Sequence, residues 1–95
     1  MPRKRGHGLH ARPVYNQSAK IIAKFGGEVE FAKALGISRI TAYRWGYSPP
    51  VGTDGLVPSS KVEQVLRAAR HHGIVLTDAD WRIERINYPT EEDAA

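Results

Sequence analysis

The stretch EVEFAKALGISRITAYRW, Glu28–Trp45, decides the fold. Phe31, Ala32 and Leu35 recur at the spacing of a helix's inner stripe. Glu28 and Glu30 lie in that helix's first turn, where negative charge suits the dipole. Gly36 stands where the helix must end, and it tolerates the positive φ of a tight turn. Ser38 is placed to cap a second helix, about Arg39–Trp45, that stops at Gly46. Ile37, Ala42 and Trp45 fall where that second helix must be anchored. Ala32 is small where two helices joined this way cross at a steep angle. The pattern predicts a helix-turn-helix.

The second helix leaves a distinct outer face. Arg39, Ile40, Tyr43 and Arg44 are related by steps of three and four residues, so they share one side. That side offers two guanidinium forks, a phenol and a methyl-rich chain, with no acid. Arginine pairs bidentately with guanine O6 and N7, and isoleucine packs on a thymine methyl. Tyr43 suits a phosphate or base-edge contact, or equally packing on the following loop. Ser38 adds a hydroxyl at the helix start, where phosphate is favoured. Ile40 also suits contact with a partner protein. Trp45 reads as core.

Upstream, MPRKRGHGLHARP at residues 1–13 has no apolar periodicity and reads as a flexible basic arm. From about Asn16, Ser18, Ile21, Ile22 and Phe25 recur at helical spacing, with Gly26 as a stop. Downstream, YSPPVGTDGLV at residues 47–57 reads as a loop, with Asp54-Gly55 as a weak hairpin signal. Ser60 and Glu63 match a capping box for a further helix. Val62, Val65, Leu66 and Ala69 form its expected buried stripe, and Gly73 its end. Thr77, Asp78 and Asp80 start a short fifth helix, whose continuation toward Ile86 is open between helix and strand. PTEEDAA at the end is expected to be disordered.

Composition narrows the function classes. The chain has 95 residues, 41% hydrophobic and 25% charged, which suits one ordinary globular domain with one small core. It has no cysteine, which excludes disulfides, thiolate zinc sites and cysteine nucleophiles. No apolar run is long enough for a spanning helix or a secretory segment, so no membrane contact and a cytoplasmic setting are expected. The net charge of +4 is uneven: residues 1–25 carry six bases and no acid, and residues 59–95 carry five bases against seven acids. A basic front suggests an anionic partner met from the N-terminal side. Arg3, Lys4, Arg5 and Arg12 are the candidates to follow a DNA backbone or enter a minor groove. A solvated tail is the plain alternative.

His7 with His10, and His71 with His72, invite a metal reading. Neighbouring helical residues diverge by about 100°, and no cysteine or nearby acid completes a closed site, so no metal is expected. No nucleophile elbow or phosphate-cradling loop is present, so no enzyme is expected.

Residues 18–81 resemble a Cro-like phage-type helix-turn-helix domain and are similar to small YdaS-type regulators of prophage and toxin–antitoxin loci. The resemblance rests on FGGEVEFAKALGISRITAYRW, with its paired glycines, apolar–Ala–x–x–Leu–Gly core, capping Ser and closing Trp. Val57-Pro58, KVEQVLRAARHHGI and LTDADW also look like that group's later helices. The resemblance implies that Ser38, Arg39, Ile40, Tyr43 and Arg44 read the major groove. Two departures stand out. Many relatives have a phosphate-bonding Gln where this chain has Glu28, and the loop after Gly46 is longer than usual.

The expected molecule is therefore all-α: a small four- to five-helix bundle containing a helix-turn-helix. A flexible basic arm (1–14) precedes the DNA-binding domain (15–88), and an acidic tail (89–95) follows it. The expected function is sequence-specific binding of double-stranded DNA as a phage- or prophage-type transcriptional repressor, with no cofactor. A homodimer is expected because one short reading helix gives limited affinity, with Trp81, Ile83, Ile86 and Tyr88 as its candidate surface. Two alternatives stay open. One is a protein-interaction module that binds a toxin or RNA polymerase. The other is a DNA-recognition subunit of a phage packaging machine.

Overall fold

The computed structural model describes residues 12–88. The described chain is all-α: α1 is Gln17–Lys24, α2 Glu28–Leu35, α3 Arg39–Arg44, α4 Val62–His71 and α5 Asp78–Trp81. A single 3-10 turn, Ser59–Lys61, leads into α4. Among the described residues there is no strand, only one isolated antiparallel bridge between Tyr15 and Arg85.

The core grows from the first three helices. Phe31 of α2 is fully buried at its centre. Its ring meets Phe25, just after α1, edge-on at 5.0 Å, and Trp45, just after α3, edge-on at 5.5 Å. Edge-to-face contact is a favoured geometry for aromatic pairs, so one ring locks two neighbouring helices. Ile21 of α1 and Val65 of α4 are equally inaccessible and close the core from either side. Gly36 ends α2 in the left-handed region at φ 75°, and its N–H donates to the Ala32 carbonyl at 2.8 Å. The Gln64 amide of α4 donates to the Leu35 carbonyl at 2.7 Å, so an end of α2 with orphan carbonyls gains a side-chain partner.

The long loop after α3 differs from the hairpin expectation. Asp54 and Gly55 both have positive φ, 58° and 95°, and Leu56 N–H closes the turn on Thr53 O at 3.1 Å. The flanks do not pair with each other. Thr53 and Gly55 N–H groups go instead to the Trp45 carbonyl, and Asp54 N–H goes to the Tyr47 carbonyl. The loop's own backbone thus caps the open end of α3. A side chain at Gly55 would collide with the Tyr15 carbonyl, because the start of the described chain lies directly against this turn.

Three more boundaries are corrected. Ser60 and Glu63 form no capping box: Lys61 precedes α4 without a side-chain cap, because residues 59–61 are already wound into the 3-10 turn. Leu66 is 38% exposed and Ala68 is buried in its place, so the inner stripe of α4 is Val65, Ala68 and Ala69. The arm does not extend to residue 14. Val14 N–H donates to Asp54 O at 3.0 Å and Val14 O accepts from Ile86 N–H at 2.8 Å. The rest of the expected arm, residues 1–11, and the tail, residues 89–95, lie outside the described residues.

After α5 the chain is extended rather than helical. Asn16 N–H donates to Glu84 O at 3.1 Å, Tyr88 donates its hydroxyl to Pro13 O at 2.7 Å, and Arg12 lies over the Tyr88 ring at 4.3 Å. Residues 82–88 therefore form a strap along the start of the domain.

Candidate nucleic-acid interface

A six-residue helix does not stand alone in water. α3 is held by contacts at both ends and along its inner side. Ser38 Oγ accepts from Thr41 N–H at 3.0 Å and lies 2.8 Å from the Thr41 hydroxyl. Ala42 and Trp45 are buried at 2% and 5% exposure, and Ile37 packs half-buried against the same core. The loop described above closes the far end.

With its inner side taken, α3 presents Arg39, Ile40, Tyr43 and Arg44 to solvent, and all four are exposed. Ile40 is 52% exposed and sets a methyl-rich surface between the two arginines. Tyr43 meets Tyr47 edge-on at 5.7 Å, so its ring leans on the loop while its surface stays partly open. Ser38, also exposed, already uses its hydroxyl as the helix cap. The two arginines differ. Arg39 Nη1 donates to Glu28 Oε1 at 3.4 Å across the Gly36 turn, whereas the Arg44 guanidinium has no partner among the described residues.

The basic front of the sequence is divided by the fold. Lys20 donates to the Ala79 carbonyl at 2.6 Å and reaches Glu84, and Lys24 pairs with Asp80 at 2.9 Å. Lys20 therefore holds α5 and the strap, and Lys24 holds α5 and the segment before it. Asp80 is the third residue of a capping box with Thr77 at the start of α5. The Thr77 N–H, then the Lys24 ammonium, hold its carboxyl below the ordinary aspartate value. Arg12 is stacked on Tyr88. Arg3, Lys4 and Arg5 lie outside the described residues. Pro13 shares an open groove of 360 Å³ with Ala19, Ala23, Ala42, Tyr43 and Gly46.

The proposed dimerisation residues do not form one free face. Trp81 packs against the core, and its carbonyl accepts from the buried Gln17 amide at 2.7 Å. Ile86 is half-buried, Tyr88 is tied to Pro13, and Ile83 is 57% exposed.

Sequence reasoning missed several residues. Gln17 bridges α1, the loop and α5, because its carbonyl oxygen also accepts from Val57 N–H at 2.9 Å. Nothing local marks it: its partners are 40 and 64 residues away. The Glu28–Arg39 pair was hidden for a related reason, since its ends meet only after the turn closes.

His71 and His72 meet edge-on at 5.0 Å. His7 and His10 are outside the described residues. Among the described residues no group of three metal-ligating side chains gathers, and no helix is long and apolar enough to cross a membrane. A second groove, of 520 Å³, lies between α2 and α4 and shares no residue with α3. Comparison with protein-family models, with curated proteins and with solved structures finds no match.

Proposed function

We propose that the chain binds double-stranded DNA in a sequence-specific manner and regulates transcription, as a Cro-like, phage-type repressor, with α2 and α3 acting as its helix-turn-helix. The observation that carries this reading is the division of labour on α3. Every apolar anchor faces the core, while two arginines, an isoleucine and a tyrosine face solvent with no acid among them. An α-helix fits the major groove of B-DNA, and those side chains match its donor, acceptor and methyl pattern. Arg39 and Arg44 take the guanine-reading roles, Ile40 the thymine-methyl role and Tyr43 a base-edge or phosphate role. Ser38 contributes through the helix start it caps. Arg3, Lys4 and Arg5 belong to this proposal as backbone or minor-groove contacts, supported by the run of bases without an acid in residues 1–25.

Binding as a two-fold dimer is part of the same proposal, on half-sites about 34–36 Å apart. Ile83 is the member of the C-terminal set most open to such a contact. A second reading, a protein-interaction module for a toxin or polymerase, is favoured by the exposure of Ile40.

Selection of bound duplexes from a randomised library, followed by anisotropy titration at several salt concentrations, tests the proposal. The DNA reading expects one enriched motif and an affinity that falls with salt. No enrichment, with salt-insensitive binding to protein partners only, would favour the second reading.

A further inference from the structure

Resting on the DNA reading above, we propose that Glu28 is a specificity-determining residue that acts through Arg39. It orients the guanidinium for one base pair, and its charge weakens binding to DNA of any sequence.

The geometry begins with how firmly each partner is mounted. Glu28 is the first residue of α2, and the turn beneath it is closed by Phe31 N–H on Gly27 O at 2.9 Å. Phe31 is the fully buried centre of the core, so the backbone under Glu28 is fixed. Arg39 is the first residue of α3, directly after the Ser38 cap. Eleven residues separate the pair in sequence, and the Gly36 turn brings their charged groups to 3.4 Å.

An ion pair this open to solvent does little for stability: the Arg39 and Glu28 side chains are 56% and 35% exposed. Its consequence is positional. An arginine side chain has many rotamers, and reading a base edge requires both the place and the plane of its fork. One nitrogen, Nη1, is held by Glu28, while Nε and Nη2 have no partner among the described residues. Two N–H groups are what a guanine edge accepts. Arg44, without such a buttress, keeps its rotamer freedom and suits a contact that tolerates more than one geometry.

The carboxylate also has an effect of its own. Beside a DNA-facing helix it repels phosphate whatever the base sequence, and it partly offsets the general attraction of Arg39. Discrimination is a difference of affinities, so lowering the unspecific one widens the gap. Removing Glu28 therefore has two effects of opposite sign. Unspecific binding tightens, and preference at the Arg39 base pair weakens.

The experiment uses the full chain and the duplex enriched from a randomised library. The position read by Arg39 is the one whose preference Arg39→Ala loses. Affinities are then measured for the enriched duplex, for a duplex changed at that position, and for random-sequence DNA. Glu28→Ala is expected to cut the ratio of the first two about fivefold to tenfold. It is also expected to tighten binding to random-sequence DNA. Glu28→Gln keeps the size and the helix start without the charge, and it is read in the same way should the alanine variant lose its helical circular dichroism. In an Arg39→Ala background either Glu28 substitution is expected to leave the ratio unchanged. An unchanged ratio in the wild-type background overturns the proposal, and so does an equal fall in the Arg39→Ala background. Failure of the DNA reading itself is distinguishable, because the wild-type chain would then enrich no motif.

Discussion

The outer face of α3 and the C-terminal strap use the same kinds of side chain in opposite ways. The strap side of the molecule spends its cations on the fold. Lys20 and Lys24 bond carbonyls and carboxylates of α5 and residues 75–84, while Arg12 and Arg85 lie over the rings of Tyr88 and Tyr15. On α3, Arg44 has no partner among the described residues and Arg39 gives up one nitrogen. Tyr43 and Ile40 stay exposed beside them. A count of basic residues therefore says little about where an anion will bind. What matters is whether each cation's donors are already satisfied, because a satisfied donor must lose one partner to gain another.

The largest test of this contrast removes what holds α3 outward. Trp45→Ala takes away a buried indole that meets Phe31 edge-on and closes α3, and it is expected to cost about 3–5 kcal/mol of stability. Chemical denaturation measures this. A loss under about 1 kcal/mol would mean that the loop alone holds the helix.

The next test separates the two regions by what their arginines do. Arg39→Ala and Arg44→Ala are each expected to weaken binding to an enriched duplex by about 1–3 kcal/mol. Both residues are exposed, so stability should change by no more than about 0.5 kcal/mol. Anisotropy and thermal melting on the same samples give both numbers.

The α5 side of the molecule has its own signature in acid. The Asp80 carboxyl is held below its ordinary value, so the unfolded chain binds that proton more readily than the folded one. The stabilisation is complete above the ordinary carboxylate range, about pH 4, and is lost as the pH falls through the lower folded value. Asp80→Asn is expected to flatten stability against pH in that acidic window. The melting temperature between about pH 5 and pH 2 checks it. An unchanged slope would mean that Lys24 and Thr77 do not hold this carboxylate.

The smallest effect concerns the segment before the described residues. Removing residues 1–8 takes away Arg3, Lys4 and Arg5. If each meets a phosphate, the log–log salt slope should fall by about 0.9 per contact, or roughly 2–3 in all. An unchanged slope would assign DNA binding to the helical domain alone.

How much of this was legible in the sequence follows from the range of the interactions. The α2–turn–α3 unit was readable because it is built from local rules: a stripe, a glycine, a capping serine and an anchoring tryptophan within eighteen residues. Its outer face was readable for the same reason, since helical periodicity alone sorts Arg39, Ile40, Tyr43 and Arg44 from Ala42. The strap was not. Gln17, Lys20 and Lys24 find partners 40 to 64 residues away, and their choice depends on how the whole chain closes. The hairpin signal at Asp54-Gly55 was correct as a turn and incorrect as a strand pair, because the open carbonyls after α3 captured the N–H groups a ladder would have used. Leu66 was misplaced because an apolar position on a periodic helix does not reveal that the neighbouring elements stop short of covering it.

The most direct test of the central claim is one comparison of affinity for a duplex enriched by the wild-type chain. One protein carries Arg39→Ala with Arg44→Ala, and the other carries Lys20→Met. Each loses charge from a different side of the contrast. The account predicts that the double arginine variant stays folded and loses preference for the enriched motif, while the lysine variant is less stable but keeps that preference. Retained preference in the double arginine variant, or lost preference in the folded lysine variant, would contradict it.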